Sequence, residues 1–199
     1  MAKRSAPEVN AGSMADIAFL LLIFFLVTTT IETDQGINRK LPPIEDQQDP
    51  PEIKMKNIFT VLVNKNDQLL VEEKLMELSE LREAAIAFLD NGGDGSCTYC
   101  KGAKDPSSSD NPDKAIISLQ NDAETSYKAY ISVQNELVAA YYFLRDRECK
   151  AKYGKTFREL EAMFEDPKTR ESTRLKIEPL IKDIQTMFPQ KLSEAEPKK

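Results

Sequence analysis

Hydrophobic and polar positions divide the chain into stretches of different period. Residues 14–31, MADIAFLLLIFFLVTTTI, form one apolar block with an uninterrupted run from Ile17 to Val27. A block without a polar stripe predicts a helix that is apolar all round. Its 18 residues reach about 27 Å as a helix, close to the ~30 Å hydrocarbon core of a bilayer. Residues 32–57 carry proline pairs at Pro42-Pro43 and Pro50-Pro51, which deny helix and favour an extended linker. The β-rich run Ile58–Val63 follows, then the turn residues Asn64-Lys65-Asn66-Asp67, then Gln68–Val71. This order predicts a hairpin. Ser79 is a candidate N-cap. Leu78, Leu81, Ala85, Phe88 and Leu89 keep helical spacing, and Asn91-Gly92 reads as a stop.

Residues 92–113, GGDGSCTYCKGAKDPSSSDNPD, are polar and turn-rich, the composition of an exposed loop without regular structure. AIISL at 115–119 reads as a buried strand. A long helix is expected from about Ser126, with Tyr127, Tyr130, Val133, Leu137, Tyr141 and Leu144 on one face and Gly154 as its stop. Helices are predicted over 156–165 and 169–188, split by Asp166-Pro167, with Pro179 kinking or breaking the second. The tail KLSEAEPKK is expected to be loose. No internal repeat is visible. The fold class is therefore α+β: a single N-terminal transmembrane helix, then a small domain with a short sheet and helices, then a helical C-terminal extension. The organisation is a tail at 1–13, the membrane helix at 14–31, a Pro-rich linker at 32–57, the α+β domain at 58–154 with its insert at 92–113, and the extension at 155–199.

Topology follows from the flanks of the apolar block. Lys3 and Arg4 precede it, and Glu32 and Asp34 follow it, so the N-terminus is expected in the cytoplasm. A cleaved signal peptide fits poorly. The stretch from Arg4 to Ile17 is long and holds Glu8 and Asp16, and the exit Thr28-Thr29-Thr30-Ile31-Glu32 has no small-x-small cleavage site. The expected location is a bacterial inner membrane, with the C-terminal domain in the periplasm.

Composition narrows the chemistry. The net charge is -6 and the chain has no His. An acidic chain does not suggest nucleic acid as a partner, and the lack of imidazole excludes the usual Ser or Cys triads and most zinc sites. There is no nucleophile–base pair, phosphate loop or metal cluster in the pattern, so an enzyme is not expected, nor is a cofactor.

Asp16 is the one residue whose position demands an explanation. No Lys, Arg or His lies within 14–31 to pair with it. A charge at the centre of a membrane helix costs about 2.5–3.5 kcal/mol on insertion scales, and less near an interface. Asp16 therefore either holds a proton or faces water and polar groups of another chain. An acid that alternates between those states is a proton carrier. A lone helix has no lumen, so partner helices must complete the path. The plainer alternative is an acid at a helix N-terminus that reaches the interface and favours the helix dipole. Gly12, Ala15 and Ala18 permit close approach of another helix. Thr28, Thr29 and Thr30 can bond carbonyls one turn back and are ordinary near an interface.

The stretch from Val9-Asn10 to Pro43 resembles the ExbD/TolR family of proton-driven biopolymer-transport proteins. The shared features are the Asp entering MADIAFLLLIFFLV, the Thr-rich exit, Gln35-Gly36, and the Gly-x-x-x-x-Leu-Pro spacing that ends at Leu41-Pro42. The downstream order of hairpin, helix, strand and a helix beginning near Tyr127 also fits. The resemblance implies a dimer of this chain inside a pentameric ring of ExbB/TolQ-type subunits, proton flow through Asp16, and work passed to a TonB- or TolA-type periplasmic protein. It also implies a role for Leu41 and Pro42 in partner binding or gating, where the linker would otherwise be a semi-rigid spacer. The sequence departs from the pattern in three places. These are the insert at 92–113, helix continuing through Cys149–Tyr153 where the family has a closing strand, and residues 155–199.

Three cysteines remain. Cys97 and Cys100, in CTYC, read as a small disulfide staple, as a loop-to-helix bridge with Cys149, or as a redox pair or half of a zinc site. The staple is preferred, because a redox CxxC usually opens a helix in a thioredoxin-like fold. The functional expectation is an ExbD-type subunit that energises TonB-dependent outer-membrane uptake. The alternatives are a TolR-type subunit serving envelope integrity, and a membrane-anchored periplasmic binding module in which Asp16 is incidental.

Overall fold

The computed structural model describes residues 11–28 and 53–195. The chain divides into two compact units, Met1–Asp49 and Pro50–Lys199. In the first, the described residues form one helix, α1 (Ala11–Thr28). Among the described residues no helix is long and apolar enough to cross a membrane. In α1 the small and polar first turns and Asp16 precede the apolar run, and the 11 residues from Ile17 to Val27 cover only about 16 Å.

The second unit is α+β. After a single 3-10 turn at Met55–Asn57 come β1 (Ile58–Val63), β2 (Leu69–Val71) and β3 (Lys74–Met76). The remaining elements are α2 (Leu78–Leu89), β4 (Ile116–Asn121), α3 (Tyr127–Tyr153), α4 (Phe157–Glu165), α5 (Glu171–Met187) and β5 (Leu192–Glu194). The sheet order is β3-β2-β1-β4-β5. β1, β2 and β3 form an antiparallel meander, with Val61 opposite Val71 and Leu70 opposite Leu75. β4 runs parallel to β1, with Phe59 opposite Ile117, and β5 runs parallel to β4.

Alternation in IFTVLV sends Phe59, Val61 and Val63 to the buried face. They share one core with Leu81, Ala85 and Leu89 of α2 and with Leu137, Tyr141 and Leu144 of α3. The rings of Phe59 and Phe88 lie 5.0 Å apart. Each fully buried leucine here contributes roughly 2 kcal/mol over its exposed state. On the opposite sheet face Ile58, Leu62, Leu70 and Ile116 are only half-buried.

The hairpin, β4 and the start and stop of α3 match expectation. Asn64 closes the turn, its Oδ1 accepting from the Asn66 and Gln68 amides at 2.9 Å, and Asp67 takes φ 59°. The Ser126 hydroxyl accepts from the Ala129 amide, and Gly154 ends α3 at φ 71°. Thr156 and Glu159 form a full capping box on α4.

Four expectations are corrected. Ser79 is not the cap of α2. The helix begins at Leu78 with Glu77 before it and no side-chain cap bond, because β3 ends at Met76 and leaves one residue for the change of direction. Pro179 neither breaks nor ends α5, which continues to Met187. The carbonyl that Pro179 cannot serve belongs to Leu175, on an exposed part of the helix that solvent can reach. Within the tail, Leu192–Glu194 is not loose but forms β5, while residues 196–199 lie outside the described residues. The insert at 92–113 is a packed loop. A strand does close the sheet, but it arrives after α4 and α5 rather than directly after α3.

Candidate functional site

Asp16 lies five residues into α1, between Ala15 and Ile17. From Met14 to Phe25 every side chain is exposed, the large apolar ones included. Phe24 and Phe25 meet edge to face at 5.7 Å. A helix that is apolar on all sides requires an apolar medium or other chains around it. No Lys, Arg or His lies within α1. The helix thus presents one carboxyl, that of Asp16, among hydrocarbon side chains. Leu41 and Pro42 lie outside the described residues.

Cys97 and Cys100 are joined by a disulfide with their Cα atoms 5.5 Å apart. Cys149 is buried and free, so the bridge to α3 does not form. Burial pushes the Cys149 thiol pKa up, which makes it a poor nucleophile. Among the described residues no group of His, Cys, Asp and Glu could hold a metal ion.

The staple is one part of a larger construction. Asn91, 2% exposed, donates its Nδ2 to the carbonyls of Asp105 at 2.8 Å and Ser109 at 2.7 Å. Its Oδ1 accepts from the Asp105 amide. A Cβ on Gly93 would fall 2.4 Å from the Asp105 oxygen, and one on Gly102 would fall 2.5 Å from the Asp90 oxygen. The loop backbone therefore approaches more closely than any side chain allows. Asp110 is buried, accepts from Asn57 Nδ2 at 3.3 Å and pairs with Lys56. The Lys56 hydrogen bond lowers the Asp110 pKa, burial opposes that shift, and Asn57 and Lys54 reinforce it. The polar residues of this loop bond its own backbone and the start of β1, which composition alone does not reveal.

The insert and the C-terminal helices are joined. Tyr99 donates its hydroxyl to the Met187 carbonyl at 2.8 Å, and its ring stands edge-on to Phe188 at 5.3 Å. Buried Arg145 donates Nε and Nη2 to the Phe188 carbonyl at 3.0 and 2.8 Å. Its guanidinium also lies 5.3 Å from the Phe157 ring centroid. Arg147 binds Asp90, at the end of α2, through two bonds of 2.6 and 2.8 Å. Lys191 pairs with Asp113 just ahead of β5. Two of the segments by which the sequence departs from the expected pattern therefore pack against each other.

Two recesses flank the meander. One, of about 250 Å³, opens on the uncovered sheet face between Leu62, Leu70, Leu75 and Gln120. The other, of about 200 Å³, lies between Leu75, Met76, Leu78 and Val133. Leu75 borders both and is 71% exposed. Sequence reasoning missed this feature because β3 is too short to register as a strand.

A family model described as "Biopolymer transport protein ExbD/TolR" matches residues 2–143 of this chain. The match takes in α1, the meander, α2, the insert, β4 and the first part of α3. No curated protein matches the chain.

Proposed function

This chain belongs to the ExbD/TolR family of biopolymer-transport proteins, and on that premise we propose that it is the proton-carrying subunit of an ExbB–ExbD-type motor that energises TonB-dependent outer-membrane transport. The family serves transport driven by a proton-powered motor and is not a family of enzymes. The observation that carries the finer reading is Asp16, the one ionisable side chain of α1 and the residue that enters its apolar run.

In this reading α1 crosses the inner membrane with Lys3 and Arg4 on the cytoplasmic side, and the unit from Pro50 onward stands in the periplasm. The short apolar run is sufficient because a ring of ExbB/TolQ-type helices surrounds α1 and supplies most of its environment. Asp16 sits near the cytoplasmic end. It takes a proton from one side while facing polar groups of the ring, and it crosses the apolar wall in its neutral form, the cheaper one to bury. Each charge moved across 100 mV is worth about 2.3 kcal/mol, so several protons are coupled to one large mechanical step. A second copy of the chain provides a second carboxyl, so the two sites can alternate. The linker with Leu41 and Pro42 docks or gates at the mouth of the pathway. The periplasmic domain passes the work to a TonB-type protein.

Coexpression with an ExbB/TolQ-type subunit tests this directly. The two should copurify, and vesicles holding both should take up protons down a pH gradient when vesicles holding the ring subunit alone do not. Failure to copurify, or equal proton uptake with and without this chain, would contradict the proposal.

A further inference from the structure

The two recesses share Gln68 and Leu75 in their lining, and they are treated together as one groove at the β3 edge of the sheet. We infer that this groove seats an extended segment of a partner protein whose apolar side chains are flanked by lysine or arginine. The inference deepens the proposed function by giving the periplasmic partner a contact surface and a chemistry, and it rests on that reading only for the identity of the partner.

Three observations carry it. The first is shape. β3 is the outermost strand on its side of the sheet. Leu75, paired with Leu70, lies on the uncovered face, while Met76, paired with Leu69, lies on the helix face. The recesses of about 250 and 200 Å³ stand on either side of Leu75. Each has room for one or two aliphatic side chains, and the two together match a chain that crosses the edge with apolar groups pointing both ways.

The second is the apolar surface left in contact with water. Leu75 is 71% and Leu78 37% exposed, on a three-residue edge strand and at the first residue of a helix. A paired set of exposed leucines beside a recess marks an interaction site more strongly than scattered ones do.

The third is charge. The residues lining the two recesses include Asp122, Asp67 and Glu77 but no Lys or Arg. Glu72 and Glu73 precede β3 in the turn, both at positive φ, and both are exposed. Lys65, Lys74 and Lys128 are the exposed cations nearest in sequence to these residues and none of them lines a recess, while Arg82 is held by Glu136 at 2.8 Å. The Asp67 carboxyl is kept ionised by bonds from the Ser126 amide and hydroxyl, which lower its pKa. A rim of carboxylates around an apolar floor selects cationic flanks on the incoming segment. It also disfavours a second copy of this chain, which carries a net charge of -6.

The test uses the full chain in detergent and a short fluorescent peptide with two leucines flanked by lysines. Two control peptides carry glutamates in place of the lysines, or serines in place of the leucines. Leu75→Ser and Glu77→Lys alter the groove at exposed positions, and unchanged thermal melting confirms that both variants fold. The lysine–leucine peptide should bind the native chain saturably, and each substitution should weaken it about tenfold, equal to ~1.4 kcal/mol. Both control peptides should bind weakly. Equal binding to native and Leu75→Ser chains, or to lysine- and glutamate-flanked peptides, would overturn the assignment. A change of oligomeric state in Leu75→Ser would assign the groove to a second copy and overturn it as well. Peptide binding does not depend on Asp16, so failure here leaves the proton-carrier reading standing, and failure of that reading leaves this one standing.

Discussion

Gln134, buried in the N-terminal third of α3, donates its side-chain amide to the Glu194 carboxylate at 2.6 Å. Glu194 pairs in register with Leu119, a core residue of β4. The last strand of the sheet is thus fastened to the helix layer by a polar bond, at a position where the other strands use hydrocarbon. A carboxylate on a short edge strand also discourages pairing with foreign strands. Gln134→Leu removes this bond while keeping much of the volume. It should cost on the order of 1 kcal/mol, read as a fall of a few degrees in the melting temperature of the unit Pro50–Lys199. No change in melting would mean that β5 is held by its ladder bonds alone.

Arg145 should matter more. Its guanidinium is buried and serves the carbonyl of Phe188, where α5 ends. Arg145→Ala leaves that carbonyl without its donor and opens a cavity beside Phe157, at a cost of about 2–4 kcal/mol. Arg145→Met fills most of the cavity and should cost less. Denaturant midpoints of the two variants decide this, and equal losses would show that packing contributes little.

The insert should respond to acid. The Asp110 pKa is lowered in the folded chain, first by its hydrogen bond from Lys56. A depressed carboxyl contributes stability that is present above its unfolded value of about 3.9 and is lost as pH falls through the lower folded value. Protection of amides in residues 93–111 from exchange, relative to the unfolded chain at the same pH, should therefore fall below about pH 4, and Asp110→Asn should show lower protection already at neutral pH with a flatter acid response. An unchanged profile in Asp110→Asn would place the acid response in other carboxylates, such as Asp94 or Asp105, which are also lowered by hydrogen bonds from nearby Ser residues.

The staple should matter less than the glycine beneath it. Replacing Cys97 and Cys100 by Ser opens a ring with a sequence separation of 3, whose loop entropy is worth at most about 2 kcal/mol. Gly93→Ala drives a methyl group against the Asp105 carbonyl and breaks the contacts organised by Asn91. Exchange measured across the insert should rise further in Gly93→Ala than in the double Ser variant. The reverse order would make the disulfide the main support of the loop.

Much of this fold can be read along the chain, and the exceptions share a physical cause. Ile58–Val63 alternates over six residues, Ser126 carries its own cap, and Thr156 with Glu159 carries a box, so each announces itself locally. β3 and β5 have three residues each. Their sequences, KLM and LSE, express no period, and their strand state is imposed by the neighbours they pair with. The polar insert reads as solvated because composition counts polar groups without telling whether they bond water or the loop's own backbone, as Asn91 does. Asp16 stood out because its surroundings in sequence are so uniform. The groove around Leu75 did not, since it exists only once β2 and β3 are folded beside α2.

The central claim is that Asp16 carries protons, and one comparison tests it most directly. Asn has nearly the shape of a protonated Asp and still forms hydrogen bonds, but it exchanges no proton. Cells that depend on this chain for uptake of a TonB-dependent substrate should lose that uptake with Asp16→Asn, at matched abundance and with the ExbB/TolQ-type subunit still copurifying. Asp16→Glu, which keeps a titratable group one methylene further out, should retain more activity than Asp16→Asn. Normal uptake by Asp16→Asn would contradict the account.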